Sequence, residues 1–280
     1  MAQTRPASTT PPVVRREPTL VGEMLAEFAG TAILILFGVG VVAQVVAGQN
    51  GDNDSIHWAW GLGVTFGVYV AGRTTGAHLN PAVTLALAVF KGFAWRKVVP
   101  YSVAQVLGAL VAALIVRWVY ADAIATVDPE TTFDSQGIFS TLPGTGVSIG
   151  TAFLDQVVGT AILVFLIFAV TELRATPPAA NLAPFIIGLI VVAIGFAWGS
   201  NAGYAINPAR DFGPRLASFL TGYSTAMREP GGQFYFWVPI IAPLIGALIG
   251  GALYRLLIER HLPEPEPQPQ PAGRLPSEDD

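Results

Sequence analysis

An Asn-Pro-Ala tripeptide occurs twice, at 80–82 and 207–209, and each copy opens an apolar run that is short for a bilayer. The copies lie 127 positions apart, a little under half the chain. Asn caps the first free N–H groups of a helix and Pro is pre-set for the first helical position, so each copy reads as a helix start. A single copy would be an ordinary N-cap; two of them in a membrane-like chain ask for more. The run from Asn80 to Phe90 closes at Lys91 and Gly92. A helix of that length reaches about 16 Å, near half of a ~30 Å hydrocarbon core. It is therefore a re-entrant half-helix or a surface helix. Pro81 to Phe90 has no charged face to lay in water, which favours the re-entrant form. The second run extends from Asn207 to about Leu220 and stops at Thr221 and Gly222.

The remaining sequence supplies the membrane context. Hydrophobic residues make up 52% of the 280 positions and charged residues only 12%, against about 25% charged in average soluble domains. Six apolar stretches of spanning length follow in order: Leu20–Val46, Ile56–Arg73, Val98–Val119, Val147–Thr171, Leu182–Trp198 and Phe234–Ile258. The predicted fold class is an all-α membrane protein with six transmembrane helices and two re-entrant half-helices. Residues 20–260 form the membrane domain. Residues 1–19 and 261–280 read as disordered tails, the first without the apolar segment of a signal peptide. Residues 121–146 read as a long polar loop. The chain has no cysteine and a net charge of −4 with no basic run, which excludes thiolate chemistry and a nucleic-acid surface. His57, His78 and His261 are scattered and form no ligand cluster, so neither metal nor cofactor is expected.

The two halves match beyond the tripeptide. GTAIL at 30–34 recurs at 159–163, and each half reads span, span, half-helix, span, over about 20–120 and 147–258. An odd number of spans per repeat inserts the second copy upside down, the inverted repeat of transport proteins. Arg15, Arg16, Lys91, Arg96, Lys97, Arg174, Arg255 and Arg260 fall on one side, and the acidic long loop falls on the other. Both termini are predicted to be cytoplasmic.

Two half-helices meeting at mid-membrane aim their free N–H groups and partial positive charge at the centre. Asn80 and Asn207 add amide donors there, a device that repels cations and accepts neutral oxygen-bearing molecules, as in known channels. The non-helical residues before each Asn are tolerated at that depth only where they line a cavity or pack in protein. Gly76, Ala77 and His78, with Gly203, Tyr204 and Ala205, are thus candidates for a ladder of pore carbonyls. The glycines also permit the turns, and His78 is a structural hydrogen-bonding residue or a pore titrator. Arg210 lies three residues after Asn207 on the same helix face, a fixed cation facing a pore or the outer interface. Asp211 and Arg215 form an i, i+4 pair that would brace the outer mouth. Glu27 and Gln156, each four residues before a repeated Thr, are expected to accept N–H groups from the re-entrant loops. A proton relay is the rival role for Glu27.

With both motifs placed, AEFAGT at 26–31, TGAHLNPAVT at 75–84 and NPARDFGP at 207–214 resemble the major intrinsic proteins, the aquaporins and glycerol facilitators. The resemblance covers roughly 22–263. It implies a homotetramer with one pore per subunit in the plasma membrane, and places the outer constriction at Trp60, Gly195, Tyr204 and Arg210. Asp211, Arg215 and the Pro243-Leu244 pair are similar to the glycerol-conducting branch. Gly195 stands where water-selective members usually carry His, which implies a wider, less polar slot for a linear polyol. Tyr204 stands where some glycerol facilitators have Phe, and Gln156 where many members have Glu, a change expected to have little effect. The function so implied is a passive channel for glycerol, small polyols and water, without a chemical step. A mainly water-selective channel, a proton-coupled transporter using Glu27, and an intramembrane enzyme at Ser200 are the rivals.

Overall fold

The computed structural model describes residues 17–264. The tails predicted to be disordered lie largely outside the described residues, as do Arg15 and Arg16. Among the described residues six long helices carry the fold: α1 (Leu20–Val46), α2 (Asn53–Thr75), α4 (Trp95–Val119), α7 (Ile149–Thr171), α8 (Ala183–Ala202) and α10 (Val238–Leu257). Two shorter ones, α3 (Pro81–Phe90) and α9 (Pro208–Leu220), begin at the tripeptides. Five of the described helices are long and apolar enough to cross a membrane. The sixth long helix, α2, is diluted by Asn53, Asp54 and His57 at one end and Arg73 at the other. Its 23 residues still reach about 34 Å. Asp52 caps it with a reciprocal box: Asp52 Oδ1 accepts the Ser55 N–H at 2.9 Å, and Ser55 Oγ accepts the Asp52 N–H at 3.3 Å.

The packing pattern repeats between the halves. Helix α1 packs on α2 and α4, as α7 packs on α8 and α10. The half-helices cross over: α9 lies against α4 of the first half, and α3 against α10 of the second. Small residues permit the closest approaches. A Cβ on Gly67 would stand 2.6 Å from the Gly30 carbonyl of α1, and one on Gly246 would collide with the Val157 carbonyl of α7. The Gly63/Gly67 and Gly246/Gly250 pairs therefore serve contacts within the subunit. On the outside, Val99, Val103, Leu107, Val111 and Ile115 form an exposed stripe along α4, and Ile241, Ile245, Ile249 and Leu253 form one along α10. Helices apolar on both faces belong in lipid.

The long polar loop proved to be folded. It contains α5 (Ala121–Val127) and α6 (Phe133–Gln136), and buries Ile124, Ile138 and Phe139. Asp128 organises it, with Oδ2 accepting the Thr132 N–H at 2.7 Å and the Ser135 hydroxyl at 2.6 Å. Ser135 Oγ also meets the Tyr223 hydroxyl at 2.7 Å. Apolar periodicity is absent from this stretch because its order comes from polar side chains gripping backbone. At the other end of the molecule, Lys91 Nζ bridges Glu172 at 3.2 Å and Glu259 at 2.7 Å, and Arg174 pairs with Glu172 at 3.0 Å. This cluster ties the C-terminal ends of α3, α7 and α10 together.

Candidate functional site

The two half-helices meet head to head. Asn80 and Asn207 are buried, 4% and 6% exposed, so the surface-helix alternative is excluded. Each cap satisfies its own helix: Asn80 Oδ1 accepts the Ala82 N–H at 2.8 Å, and Asn207 Oδ1 accepts those of Ala209 and Arg210 at 3.0 and 3.2 Å. Each amide also straps the opposite half. Asn80 Nδ2 donates to the Ile206 carbonyl at 2.9 Å and Asn207 Nδ2 to the Leu79 carbonyl at 2.8 Å. An amide nitrogen has two hydrogens. One from each Asn is thus left without a protein partner among the described residues. Pro81 and Pro208 hold the first helical positions, where the missing N–H costs nothing.

The segments leading into the caps are held open by side chains behind them. Glu27 Oε1 accepts the His78 N–H at 2.9 Å and the Thr75 hydroxyl at 2.6 Å. Its Oε2 accepts the Leu79 N–H at 2.7 Å and Gln105 Nε2 at 2.8 Å. Thr75 Oγ1 takes the Ala77 N–H at 2.9 Å. In a trans peptide the carbonyl points opposite to the next N–H. Binding the N–H groups of 77, 78 and 79 on one side therefore turns the carbonyls of Gly76, Ala77 and His78 to the other. Among the described residues none of these carbonyls has a protein donor. Left-handed backbone at Ala77 (φ 53°) and Leu79 (φ 51°) is the cost, and it recurs at Tyr204 (φ 34°) and Ile206 (φ 44°) in the second half.

The second half uses an amide where the first uses a carboxylate. Gln156 Oε1 accepts the Ile206 N–H at 2.9 Å, which turns the Ala205 carbonyl away, and Nε2 donates to the Ala202 carbonyl at 3.0 Å. Gln156 thus accepts a backbone N–H of the re-entrant segment, and a carboxylate could not make the second bond. His78 is placed by Thr84. That hydroxyl lies 3.0 Å from the Asn80 carbonyl and 3.1 Å from His78 Nδ1, so it ties the ring to the first turn of α3.

These segments line a cavity of about 320 Å³. Its polar lining is Gly76, Ala77, His78 and Asn80 from one half, and Tyr204, Ala205, Asn207 and Arg210 from the other. The rest of the lining is largely apolar. Trp60, Val64 and Val68 descend one face of α2 in steps of four, as do Ile187 and Val191 on α8. Leu34 and Leu163, the same position of the repeated GTAIL, both contribute. The guanidinium of Arg210 stacks 3.9 Å over the Trp60 ring, and its Nη1 is buried with no protein partner among the described residues. It is a cation held by a ring face with donors to spare.

Asp211 does not pair with Arg210. Its carboxylate takes Arg215 Nε at 2.7 Å and the Thr141 N–H and hydroxyl at 2.8 and 2.7 Å. Arg215 completes the clasp with donors to the Ala226 and Thr141 carbonyls at 2.6 and 2.8 Å. Both residues are fully buried.

Two predicted residues stand off the wall. Gly203 caps α8 in the left-handed region (φ 68°), facing Thr141. Gly195 faces side chains: a Cβ there would sit 2.8 Å from His57 Nδ1 and 3.0 Å from Tyr204 Cζ. His57 is the residue that sequence reasoning missed. Its one signal was position, three residues before Trp60 on the same face of α2.

Comparison with known proteins agrees with this arrangement. The sequence profile of the family described as Major intrinsic protein matches residues 15–254. The glycerol uptake facilitator protein of Pseudomonas aeruginosa is 44% identical over 256 residues, covering 88% of this chain and 92% of the relative. Aquaglyceroporin-2 of Rhizophagus irregularis is 43% identical over 243 residues, covering 84% and 77%. The X-ray structure of the aquaglyceroporin from Plasmodium falciparum superposes with a TM-score of 0.78 at 31% identity, covering 86% of this chain and 97% of that one. With two buried Asn-Pro caps strapped to each other across an inverted pair of helix sets, the chain belongs to the major intrinsic protein family.

Proposed function

We propose that this protein is a passive transmembrane channel for glycerol and similar small neutral solutes, with water as co-permeant. The observation that carries the reading is a cavity lined both by polar groups of the re-entrant segments and by apolar side chains of α2 and α8. A linear polyol presents both kinds of surface, hydroxyls and carbons. Its hydroxyls would donate to the carbonyls of 76–78 and 204–205, and accept from Arg210 and the spare amide hydrogens of Asn80 and Asn207. Its carbons would lie against Trp60, Val64, Val68 and Val191. The relatives named glycerol uptake facilitator and aquaglyceroporin support the same reading. Urea and other small polyols are candidate co-substrates of the same slot.

Ions are excluded by the same parts. A cation loses hydration there and meets two helix N-termini and Arg210. A water that accepts from both Asn amides has its lone pairs filled, so it cannot take a proton from its neighbour. No covalent step and no cofactor enter the reading. Coupling to protons through Glu27 is disfavoured, because both carboxylate oxygens already accept two donors each. The protein is read as a multi-pass protein of the plasma membrane with both termini cytoplasmic. Lys91, Lys97 and Arg174 at one end of the bundle support that orientation. A homotetramer, each subunit with its own pore, follows from the family resemblance.

The test is a flux panel of water, glycerol and urea in purified proteoliposomes, with and without an uncoupler. Glycerol flux well above protein-free vesicles and indifferent to the uncoupler is expected. Water flux without glycerol flux would replace this reading with a water channel, and uncoupler-sensitive uptake with a transporter.

A further inference from the structure

We infer that His57 is a specificity-determining positioning residue, which holds the Tyr204 side chain beside Gly195 and keeps the slot wide enough for a polyol. This rests on the channel reading above and adds to it a residue outside the cavity wall. Tyr204 is nearly buried, and a buried phenol needs a partner for its hydroxyl. That partner is His57 Nδ1, 3.0 Å from the oxygen, supplied by α2 from 147 positions away. The two rings stand 5.4 Å apart at 60°, and the His57 ring also packs edge-on against Phe196 at 4.9 Å.

The space for this pair is made by two glycines one turn apart on α8. A Cβ on Gly195 would press on both rings, and one on Gly199 would stand 3.2 Å from His57 Cε1 and 3.3 Å from Tyr204 Cδ1. The room that Gly195 provides is therefore occupied, by Tyr204 held through its hydroxyl. His57 and Trp60 share a face of α2, so one helix face supplies both apolar lining and the tether of the Tyr204 ring. Without the tether, the hydroxyl loses its protein partner and nothing holds the ring back from the cavity. The ring moves in, and the slot narrows for a polyol more than for water.

The experiment compares glycerol-to-water permeability ratios in proteoliposomes for wild type, H57A, H57L and H57N, each also in the Y204F background. Flux is normalised to the monodisperse protein reconstituted. H57L keeps bulk without a hydrogen bond and serves if H57A does not fold. Asn sets an amide near the place of Nδ1. The expected result is a ratio about fivefold lower in H57A and H57L, the factor that one neutral hydrogen bond is worth, with most of it restored in H57N. In the Y204F background, which sets its own baseline, the same changes at 57 leave the ratio where it is. An unchanged ratio in both H57A and H57L overturns the inference alone, as does an equal fall in the Y204F background. Wild-type vesicles that pass no glycerol overturn the channel reading and this inference together.

Discussion

Glu27→Gln tests the architecture behind the pore at a single position. The carboxylate receives four donors at 2.6–2.9 Å: Thr75 Oγ1, His78 N, Leu79 N and Gln105 Nε2. Gln offers one oxygen and one NH₂ group, so two donors keep an acceptor and two meet a donor. Gln105 can relieve one conflict, because its Oε1 is buried without a partner and would accept after an amide flip. The Leu79 N–H has no such option. Its loss costs about 1–3 kcal/mol as an orphaned buried donor. The other bonds lose their charge assistance, worth about half of each. The total is about 2–4 kcal/mol, or a fall in melting temperature on the order of 10 °C for a chain of this size. Thermal unfolding in detergent, followed by tryptophan fluorescence, measures it. Gln156→Glu is the mirror control: it sets a carboxylate oxygen against the Ala202 carbonyl and should also destabilise. A Glu27→Gln protein that melts within about 2 °C of wild type, on the same scale, would refute the view that Glu27 holds the re-entrant segment by accepting its N–H groups.

Gly195→His should lower glycerol flux far more than water flux, by at least about tenfold in the ratio for a clash worth 1.4 kcal/mol. The new atoms would contest space held by His57 and Tyr204; equal loss of both fluxes in stopped-flow assays would contradict this. Acid should loosen the ion cluster at the ends of α3, α7 and α10. The hydrogen bond from Arg174, helped by Lys91, pulls the Glu172 carboxyl down to about 2 from its usual 4.5. A depressed carboxyl contributes stability that is present above its unfolded value and lost as pH falls through its folded one. Melting temperature should therefore drop between about pH 4.5 and 2, and E172Q should flatten that part of the profile.

Much of this protein is written locally. Asn80-Pro81 and Asn207-Pro208 start helices by their own capping chemistry, and Lys91-Gly92 and Thr221-Gly222 stop them, so both half-helices could be placed within a residue or two. The repeated GTAIL and the odd span count imposed the inversion, because a chain that ends each repeat on the far side must re-enter upside down. Span ends were less legible: α2 begins at Asn53, because Asp52 and Ser55 cap it in water beyond the apolar run. Other features depend on residues brought together from far along the chain. No local pattern could pair Asp211 with Thr141, or bury Arg215 under Ala226. None could show that the loop over 121–146 is packed, since its order comes from Asp128 binding backbone groups that any sequence possesses. His57 is the sharpest case. Its meaning depends on a bare stripe of α8 and a strained tyrosine in the other half, and only the crossing of the two halves sets all three side by side.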